Sequence, residues 1–328
     1  MHASETMKAV VRTKYGPPDV VRLAEMPKPM PGDSEVLIRV VAASVNGSDR
    51  EGVVGRPAYA RIGGLRKPRY PILGSDIAGL VEEAGKHVRN LRPGDAVLGE
   101  VPGYHSGFAE YVCAPETTLV PKPAELTFEE AAAIPQAGAI ALQGIRIRGQ
   151  VQPGQKVLIN GAGGAAGSFA VQLAKLHGAE VTGVDRGDKH DFLCSLGADH
   201  VIDYTREDFT RTRKHYDLVL DVIAHRSVLA CARALRPNGT YFVAGGATRV
   251  LFGALLLGPV IKRATGKNVR LLVVPQDRKA LLAVTELCAE RKVVPVIDRH
   301  YPLQEAREAL RYVCEGRQRG KVVITFTG

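Results

Sequence analysis

The stretch "KVLINGAGGAAGSFAVQLAKLHGAEVTGVD", residues 156–185, limits what this chain can fold into more than any other. "KVLIN" is an almost unbroken apolar strand. A loop made only of Gly and Ala, residues 161–167, follows it and leads straight into a segment with helical spacing that stops at Gly178. A second apolar strand, "EVTGVD", ends at Asp185. Apolar strands joined through a helix form a parallel sheet covered on both faces. Small residues in such a loop let the backbone approach a pyrophosphate, and the helix N-terminus offers free N–H groups and the positive end of its dipole. An acidic residue about 20 positions further on can bind a ribose 2′-hydroxyl, and Asp185 lies about 18 past Gly167. The pattern predicts dinucleotide binding through Ala162, Gly164, Ala165, Ala166, Gly167 and Asp185, with a plain tight turn as the alternative. Asp185 favours NADH, because its carboxylate repels a 2′-phosphate. Arg186 and Lys189 stand beside it and could bind that phosphate, which keeps NADPH open. Alternatively, Arg186 simply pairs with Asp185 or Asp188.

The rest of the chain falls into an α/β pattern with two regimes. Residues 1–125 read as short strands broken by Gly and Pro, among them "MKAVVRTK", "EVLIRVVAASV", "DIAGLVEEAG" and "FAEYVCAP". "PGD" precedes an apolar strand at Pro31 and again at Pro93, which is turn chemistry and predicts an antiparallel, barrel-like domain. At Thr127 the character changes. Thr127 with Glu130 three residues on is a capping-box signature. Strands and helices then alternate, and residues 126–276 are expected to form the doubly wound parallel-sheet domain. Residues 277–328 add a helix from Arg278 to Glu290, the strand "VVPVIDRHY", a helix with Leu303, Ala306, Leu310 and Val313 on one face, and the strand "KVVITF". Strand ends in a parallel sheet carry ligand contacts. This points to Val222, Ile223 and Ala224, to Gly245 and Gly246, and to Tyr204 on the adenosine side. "RVLFGALLLGPVIK" is expected either to cover the nicotinamide and form a dimer surface or to be a buried core helix.

The chain has 328 residues, 45% of them hydrophobic, so a full core is available. The formal charge is +10. Acidic residues are mixed through most basic stretches, and the densest basic segment, Arg206 to Lys214, has few aromatics near it. That argues against nucleic-acid binding, for which a basic stripe and stacking residues come together. A positive field does suit a phosphorylated cofactor. Five cysteines with no C-x-x-C pair argue against a disulfide framework or zinc knuckle. "MHASETMKAV" lacks the regions of a signal peptide, and the longest apolar run, Val250 to Ile261, is too short for a membrane span of about 20 residues. The expectation is a cytoplasmic protein with a small-molecule substrate and no membrane or nucleic-acid partner.

"EVLIRVVAASVNGSD", "YPILGSDIAGLVEEAGKHVRNLRPGD", "GFAEYV", "LTFEEAAAIP", "ALQGIR", "VQPGQKVLINGAGGAAG", "SLGADHVIDY" and "GKVVI" together resemble the medium-chain dehydrogenase/reductase superfamily along nearly the whole chain. Within it the chain is most similar to the zinc-free quinone oxidoreductase, or zeta-crystallin-like, branch. The resemblance implies a GroES-like β-barrel domain, a Rossmann domain, a C-terminal segment returning to the first domain, an active cleft between the domains, and a homodimer. Zinc alcohol dehydrogenases of the superfamily bind catalytic zinc through Cys, His and Cys. Register places Asn46, Ser75 and Gln136 at those positions. Zinc takes thiolate, imidazole or carboxylate ligands, so no zinc is expected. Between Gly94 and Pro115 only Cys113 stands where a structural zinc lobe would be. Two departures from the branch are Ala165 and Ala166, where Gly and Val are common, and Ile140, where a cofactor-contacting Thr is common.

Without a metal to stabilise an alkoxide, oxidation of simple alcohols is hard. Quinones and enones fit better, because neutral donors can hold the charge that develops on their oxygen. The expected activity is therefore an NAD(P)H-dependent reductase of quinones or α,β-unsaturated carbonyl compounds. Asn46, Ser48 and Gln136 are the candidate donors, although Asn46 and Ser48 could instead cap the short helix that follows. Tyr59 and His105 are candidate proton donors, with solvent as the alternative. The competing expectations are an alcohol dehydrogenase and a non-catalytic, crystallin-like dinucleotide-binding protein.

Overall fold

The computed structural model describes residues 5–62, 64–212 and 215–326. Arg213 and Lys214, at the end of the basic segment, lie outside the described residues. Contacts divide the chain into two compact units. The first comprises residues 1–136, 276–291 and 295–328, and the second residues 137–275 and 292–294.

The first unit begins with β1 (Thr6–Arg12) and β2 (Val21–Pro27), an antiparallel two-stranded sheet. Then follow β3 (Glu35–Val45), the helix α1 (Gly47–Val54), β4 (Asp76–Ala84), β5 (Ala96–Glu100), β6 (Tyr111–Pro115) and β7 (Leu119–Pro121). β3 pairs antiparallel with both β4 and β6, and β4 with β5. Helix α2 (Phe128–Ala132) starts at the expected box: Glu130 N donates to Thr127 Oγ1 at 3.1 Å and Thr127 N to Glu130 Oε2 at 3.0 Å. It packs on β3 and β4. The boundary between units therefore falls after Gln136, inside the helix α3 (Pro135–Leu142), and not at 125/126 where the composition changes.

The second unit contains β8 (Lys156–Asn160), α4 (Ala165–Leu176), β9 (Glu180–Asp185), α5 (His190–Ser195), β10 (His200–Asp203), β11 (Tyr216–Asp221), α6 (Val228–Arg233), β12 (Leu235–Val243), α7 (Thr248–Thr265) and β13 (Asn268–Leu271). All its strands are parallel, in the order β10-β9-β8-β11-β12-β13. The chain starts in the middle and winds outward in both directions, so β8 and β11 flank the point where the order reverses. Ligands bind outside the carboxyl ends of strands at such a point. Leu158 and Val219, side by side on these central strands, are fully buried. Cutting Leu158 back to Ala would cost about 2–5 kcal/mol. Helix α7 is neither wholly core nor wholly surface: Val250, Ala254, Gly258 and Ile261 are buried, whereas Phe252, Leu255, Leu256 and Val260 are exposed.

The chain then re-enters the first unit through α8 (Arg278–Ala289), β14 (Ile297–Pro302), α9 (Ala306–Cys314) and β15 (Lys321–Thr325). The strand expected from Val293 starts only at Ile297, past Pro295, which has no N–H to give a ladder. β15 pairs antiparallel with β3 and parallel with β14, completing a seven-stranded sheet. Leu303, Ala306, Leu310 and Val313 enter the core of this unit, with Leu303 in the turn that precedes α9.

Candidate active site

In the first unit the apolar strand β3 ends at Val45, and Asn46 becomes the N-cap of α1, with φ −112° and ψ 167°. Asn46 and Asp49 form a capping box at the start of α1, the capping alternative for Asn46. Asp49 Oδ2 accepts the Asn46 N–H at 2.8 Å and Oδ1 accepts the Gly74 N–H at 3.1 Å. Asn46 Oδ1 accepts from Lys321 Nζ at 2.7 Å.

Lys321 and Asp76 are both fully buried, with Nζ 3.4 Å from Asp76 Oδ2. The same carboxylate oxygen accepts the Gln136 N–H at 3.1 Å and the Ser44 hydroxyl at 3.4 Å. A second chain runs beside it. Ser48 Oγ donates to Gln136 Oε1 at 3.1 Å, and Gln136 Nε2 donates to Glu100 Oε1 at 2.8 Å. Asn46, Ser48 and Gln136 are thus brought into one polar cluster. Two of the three already direct a proton at a protein neighbour. Asn46 Nδ2, Ser75 Oγ and Asp76 Oδ1 are buried without a hydrogen-bond partner.

Charge in this cluster is held at a cost. Burial pushes the Asp76 carboxyl up, against the pull of Lys321 and of the Asn46 amide, which Asp76 feels although Nδ2 closes no hydrogen bond. Burial pushes Lys321 down, against the attraction of Asp76. Burial carries Glu100 up to about 7, with Asp76 adding to it, and carries Asp49 to about 7. A buried pair of this kind contributes little net stability, but losing one partner strands the other charge.

The other proton-donor candidates stand apart. The Tyr59 hydroxyl donates to Glu51 Oε1 at 2.9 Å. His105 stacks on Tyr70 with ring centroids 4.0 Å apart, and its Nδ1 is 2.8 Å from Ser106 Oγ. Next to it Tyr104 and Ser106 hold positive φ, 59° and 76°. Backbone strain of this kind in non-glycine residues gathers at functional sites. Burial raises the Tyr104 hydroxyl, and Glu100 and Asp76 raise it further.

In the second unit the glycine loop joins β8 to α4, with Gly164 as N-cap. Gly167 allows the close packing: a Cβ there would meet Gly161 O at 2.1 Å. Asp185 ends β9 and turns its buried carboxylate toward the loop. Oδ2 accepts the Gly163 N–H at 2.8 Å, Oδ1 accepts the Arg186 N–H at 2.9 Å, and Lys189 Nζ lies 3.3 Å from Oδ1. Arg186 pairs with Asp188 at 3.2 Å, the bland alternative for that side chain. Tyr204, exposed, donates its N–H to Asp185 O at 3.1 Å.

Val222–Ala224 and Gly245–Gly246 are brought together. Ala224 N donates to Gly245 O at 2.9 Å, and Gly246, at φ 127°, leaves no room for a Cβ beside the Ala224 backbone. Asp221 ties these strand ends to the loop: it accepts from Asn160 Nδ2 at 2.7 Å, Tyr241 OH at 2.9 Å and Ile223 N at 3.2 Å. Ala162, Gly164, Ala165, Ala166 and Gly167 all lie in the loop or the first turn of α4.

Sequence reasoning missed Lys321, Asp76, Glu100, Tyr104 and Gly163. A usable signal existed for Asp76, a lone acid heading an apolar strand and in need of a cation.

Residues 32–124 match the alcohol dehydrogenase GroES-like domain family, and residues 196–324 match the zinc-binding dehydrogenase family. A chloroplast quinone oxidoreductase of Triphysaria versicolor is 33% identical over 98% of this chain and 99% of its own length. The chain belongs to the medium-chain dehydrogenase/reductase superfamily. Another member, the 2-methylene-furan-3-one reductase of Solanum lycopersicum, is 32% identical over 97% of this chain and 79% of its own. Among solved members, the quinone oxidoreductase from Coxiella burnetii superposes with a TM-score of 0.88 at 31% identity, covering 98% of this chain and 99% of that one. The GroES-like and parallel-sheet parts of the superfamily fold correspond to the first and second units.

Proposed function

We propose that this chain reduces quinones or α,β-unsaturated carbonyl compounds with hydride from NAD(P)H, and does so without zinc. The relatives named as quinone oxidoreductase and furanone reductase support the substrate class. The observation that carries the zinc-free part is the donor set. Asn46, Ser75 and Gln136 offer amides and a hydroxyl, which are not zinc ligands. A lysine ammonium already sits on Asn46 Oδ1 at 2.7 Å.

Ala162 to Gly167, Asp185, Lys189, Tyr204, Val222–Ala224 and Gly245–Gly246 would hold the dinucleotide, and when bound it supplies the hydride. The chain's part is to hold the charge that appears on the substrate oxygen. Preorganised donors in a water-poor site serve this well. Asn46, Ser48 and Gln136 are the candidate donors, with Ser48 donating to Gln136 Oε1 at 3.1 Å. Solvent returns the proton. For the coenzyme, the Asp185 carboxylate favours NADH, and its pairing with Lys189 softens the repulsion of a 2′-phosphate, so NADPH is also accepted. The exposed apolar face of α7 is offered as a homodimer contact. Five free thiols suit a reducing, cytoplasmic setting.

A substrate panel tests the reading. Turnover of benzoquinone or an alkenal, indifferent to chelator, is expected. Fast ethanol or benzyl alcohol oxidation abolished by chelator would sink the zinc-free claim. Tight cofactor binding without turnover of any quinone or enone would favour a non-catalytic role.

A further inference from the structure

We infer that the loop between α1 and β4 rests on an anionic lipid surface, with Ile62 and Leu65 at the boundary of headgroups and acyl chains and Arg66, Lys67 and Arg69 among the headgroups. The inference is independent of the reductase reading, and it replaces the expectation of no membrane partner. No helix among the described residues is long and apolar enough to cross a membrane, but a surface contact needs none.

The charge of this loop has one sign. From Gly52 to Ser75 the sequence holds no Asp or Glu, whereas Arg56, Arg61, Arg66, Lys67 and Arg69 all fall within it. The acids at its two ends do not offset them. Glu51 accepts the Tyr59 hydroxyl at 2.9 Å, and Asp76 is fully buried. A run of unbalanced cations attracts an anionic surface.

The loop is also held open. Tyr15 OH donates to Gly64 O at 2.6 Å. Arg61 Nε donates to Gly55 O at 2.9 Å, and its guanidinium carbon lies 4.9 Å from the centre of the Tyr15 ring. Ile62 N donates to Tyr59 O at 3.1 Å and Gly64 N to Arg61 O at 2.9 Å, which sets Ile62 on a tight turn. Gly64 has φ 142°, and a Cβ there would stand 2.1 Å from Lys67 O and 3.0 Å from Arg69 N. The chain therefore doubles back, and Leu65 and Arg66 form a second tip. Ile62 is 87% exposed and Leu65 80%. Arg66, Lys67 and Arg69 are exposed beside them. Pinned at Gly55 and Gly64, the loop cannot fold its two aliphatic side chains back onto the protein.

Bare aliphatic tips next to cations suit a bilayer surface. The apolar groups enter the acyl boundary, while long basic side chains keep their charge at the headgroups. Nucleic acid fits less well, because single strands stack on aromatic rings. Tyr70 is already stacked on His105, with centroids 4.0 Å apart, and the two tips are aliphatic. The same loop of a second copy would set cations against cations.

Co-sedimentation of the full chain with phospholipid vesicles tests this. Binding is expected to phosphatidylcholine vesicles containing about 30% phosphatidylglycerol, and not to phosphatidylcholine alone. Raising the salt from about 0.1 M to about 1 M should release the protein, as the screening length falls from about 10 Å to about 3 Å. Arg66→Gln/Lys67→Gln/Arg69→Gln is expected to lower the partition coefficient about a hundredfold, at about fivefold per charge. Ile62→Ser/Leu65→Ser should lower it at least about tenfold. Both variants should keep the wild-type melting temperature, since every altered side chain is exposed. The chain has no tryptophan, so Leu65→Trp carries a single indole, whose emission should shift to the blue on anionic vesicles.

No binding to anionic vesicles, equal binding to both kinds, or full binding by the triple-glutamine variant would overturn the inference. An unshifted Leu65→Trp spectrum on bound vesicles would overturn it as well. So would two other outcomes in the absence of vesicle binding. Retention of single-stranded RNA through the same cations would give the loop to nucleic acid, and self-association lost in Ile62→Ser/Leu65→Ser would give it to a second copy.

Discussion

Two glycines three residues apart should fail in different ways. Gly167 sits in the first turn of α4, where an added Cβ would lie 2.1 Å from Gly161 O, 2.6 Å from Ala162 Cα and 2.7 Å from Ala162 C. All three are backbone atoms, so the helix start must move off the loop. Gly164, the N-cap, has φ −87° and ψ −175°, which alanine adopts freely, and its Cβ would meet only Gly161 O, at 3.4 Å. The space beside Gly164 is open, as an approach route for a pyrophosphate requires. Gly167→Ala is an overpacking change and should cost about 3 kcal/mol, lowering the melting temperature by about 6–12 °C at 2–4 °C per kcal/mol. Gly164→Ala should cost no more than about 1 kcal/mol, the difference between glycine and alanine at an N-cap. Its cofactor affinity should nevertheless fall at least about tenfold, or 1.4 kcal/mol. The chain has no tryptophan, so calorimetric titration with NADH and NADPH suits the affinity measurement, alongside scanning calorimetry for melting. Equal melting losses for the two variants, or wild-type affinity in Gly164→Ala, would refute the division of roles.

Asp185→Ser removes the carboxylate and releases Lys189 from it, so the ratio of kcat/KM for NADPH over NADH should rise; a wild type that already prefers NADPH strongly would contradict the part given to Asp185. Burial pushes Asp221 up to about 6 from an ordinary 3.8, against hydrogen bonds from Asn160 and Tyr241. The folded state then binds that proton more tightly than the unfolded one, so its contribution to stability is greatest below about pH 4, declines as pH rises to about 6, and is level above. Urea unfolding across this window should show that decline in the wild type relative to Asp221→Asn, and parallel curves would contradict it. Phe252→Ser/Leu256→Ser should convert a dimer to monomers by light scattering, and a monomeric wild type would remove α7 from consideration as a contact.

The parallel-sheet unit was legible because its signals are local. Strand, small-residue loop, helix, strand and acid follow one another within residues 156–185, and each obeys a short-range rule. The polar cluster was legible only in part. Asn46, Ser48 and Gln136 came from register against a known family, whereas the cations and acids that orient them are far apart in sequence. Lys321 heads an apolar strand, where a lysine ordinarily reads as a solvated end. Its burial depends on pairing with β3, which no local pattern announces. Asp185 was correctly placed at the end of β9, but its bond to Gly163 depends on side-chain direction, which spacing does not give. The unit boundary was set too early because α2 looks helical in composition yet packs on β3 and β4.

The return of β15 to β3 has a consequence for synthesis. The second unit is a continuous insertion apart from residues 292–294, so it can begin to fold as soon as residue 275 has left the ribosome. The sheet of the first unit cannot be completed until Lys321–Thr325 emerge. At about 5–20 residues per second, the wait between residue 136 and residue 321 is about 10–40 s. During that time Asp76 has no ammonium beside it and β3 presents an open edge to its surroundings. The part of the chain made first is therefore the part finished last, and its nascent form is where a chaperone would be needed.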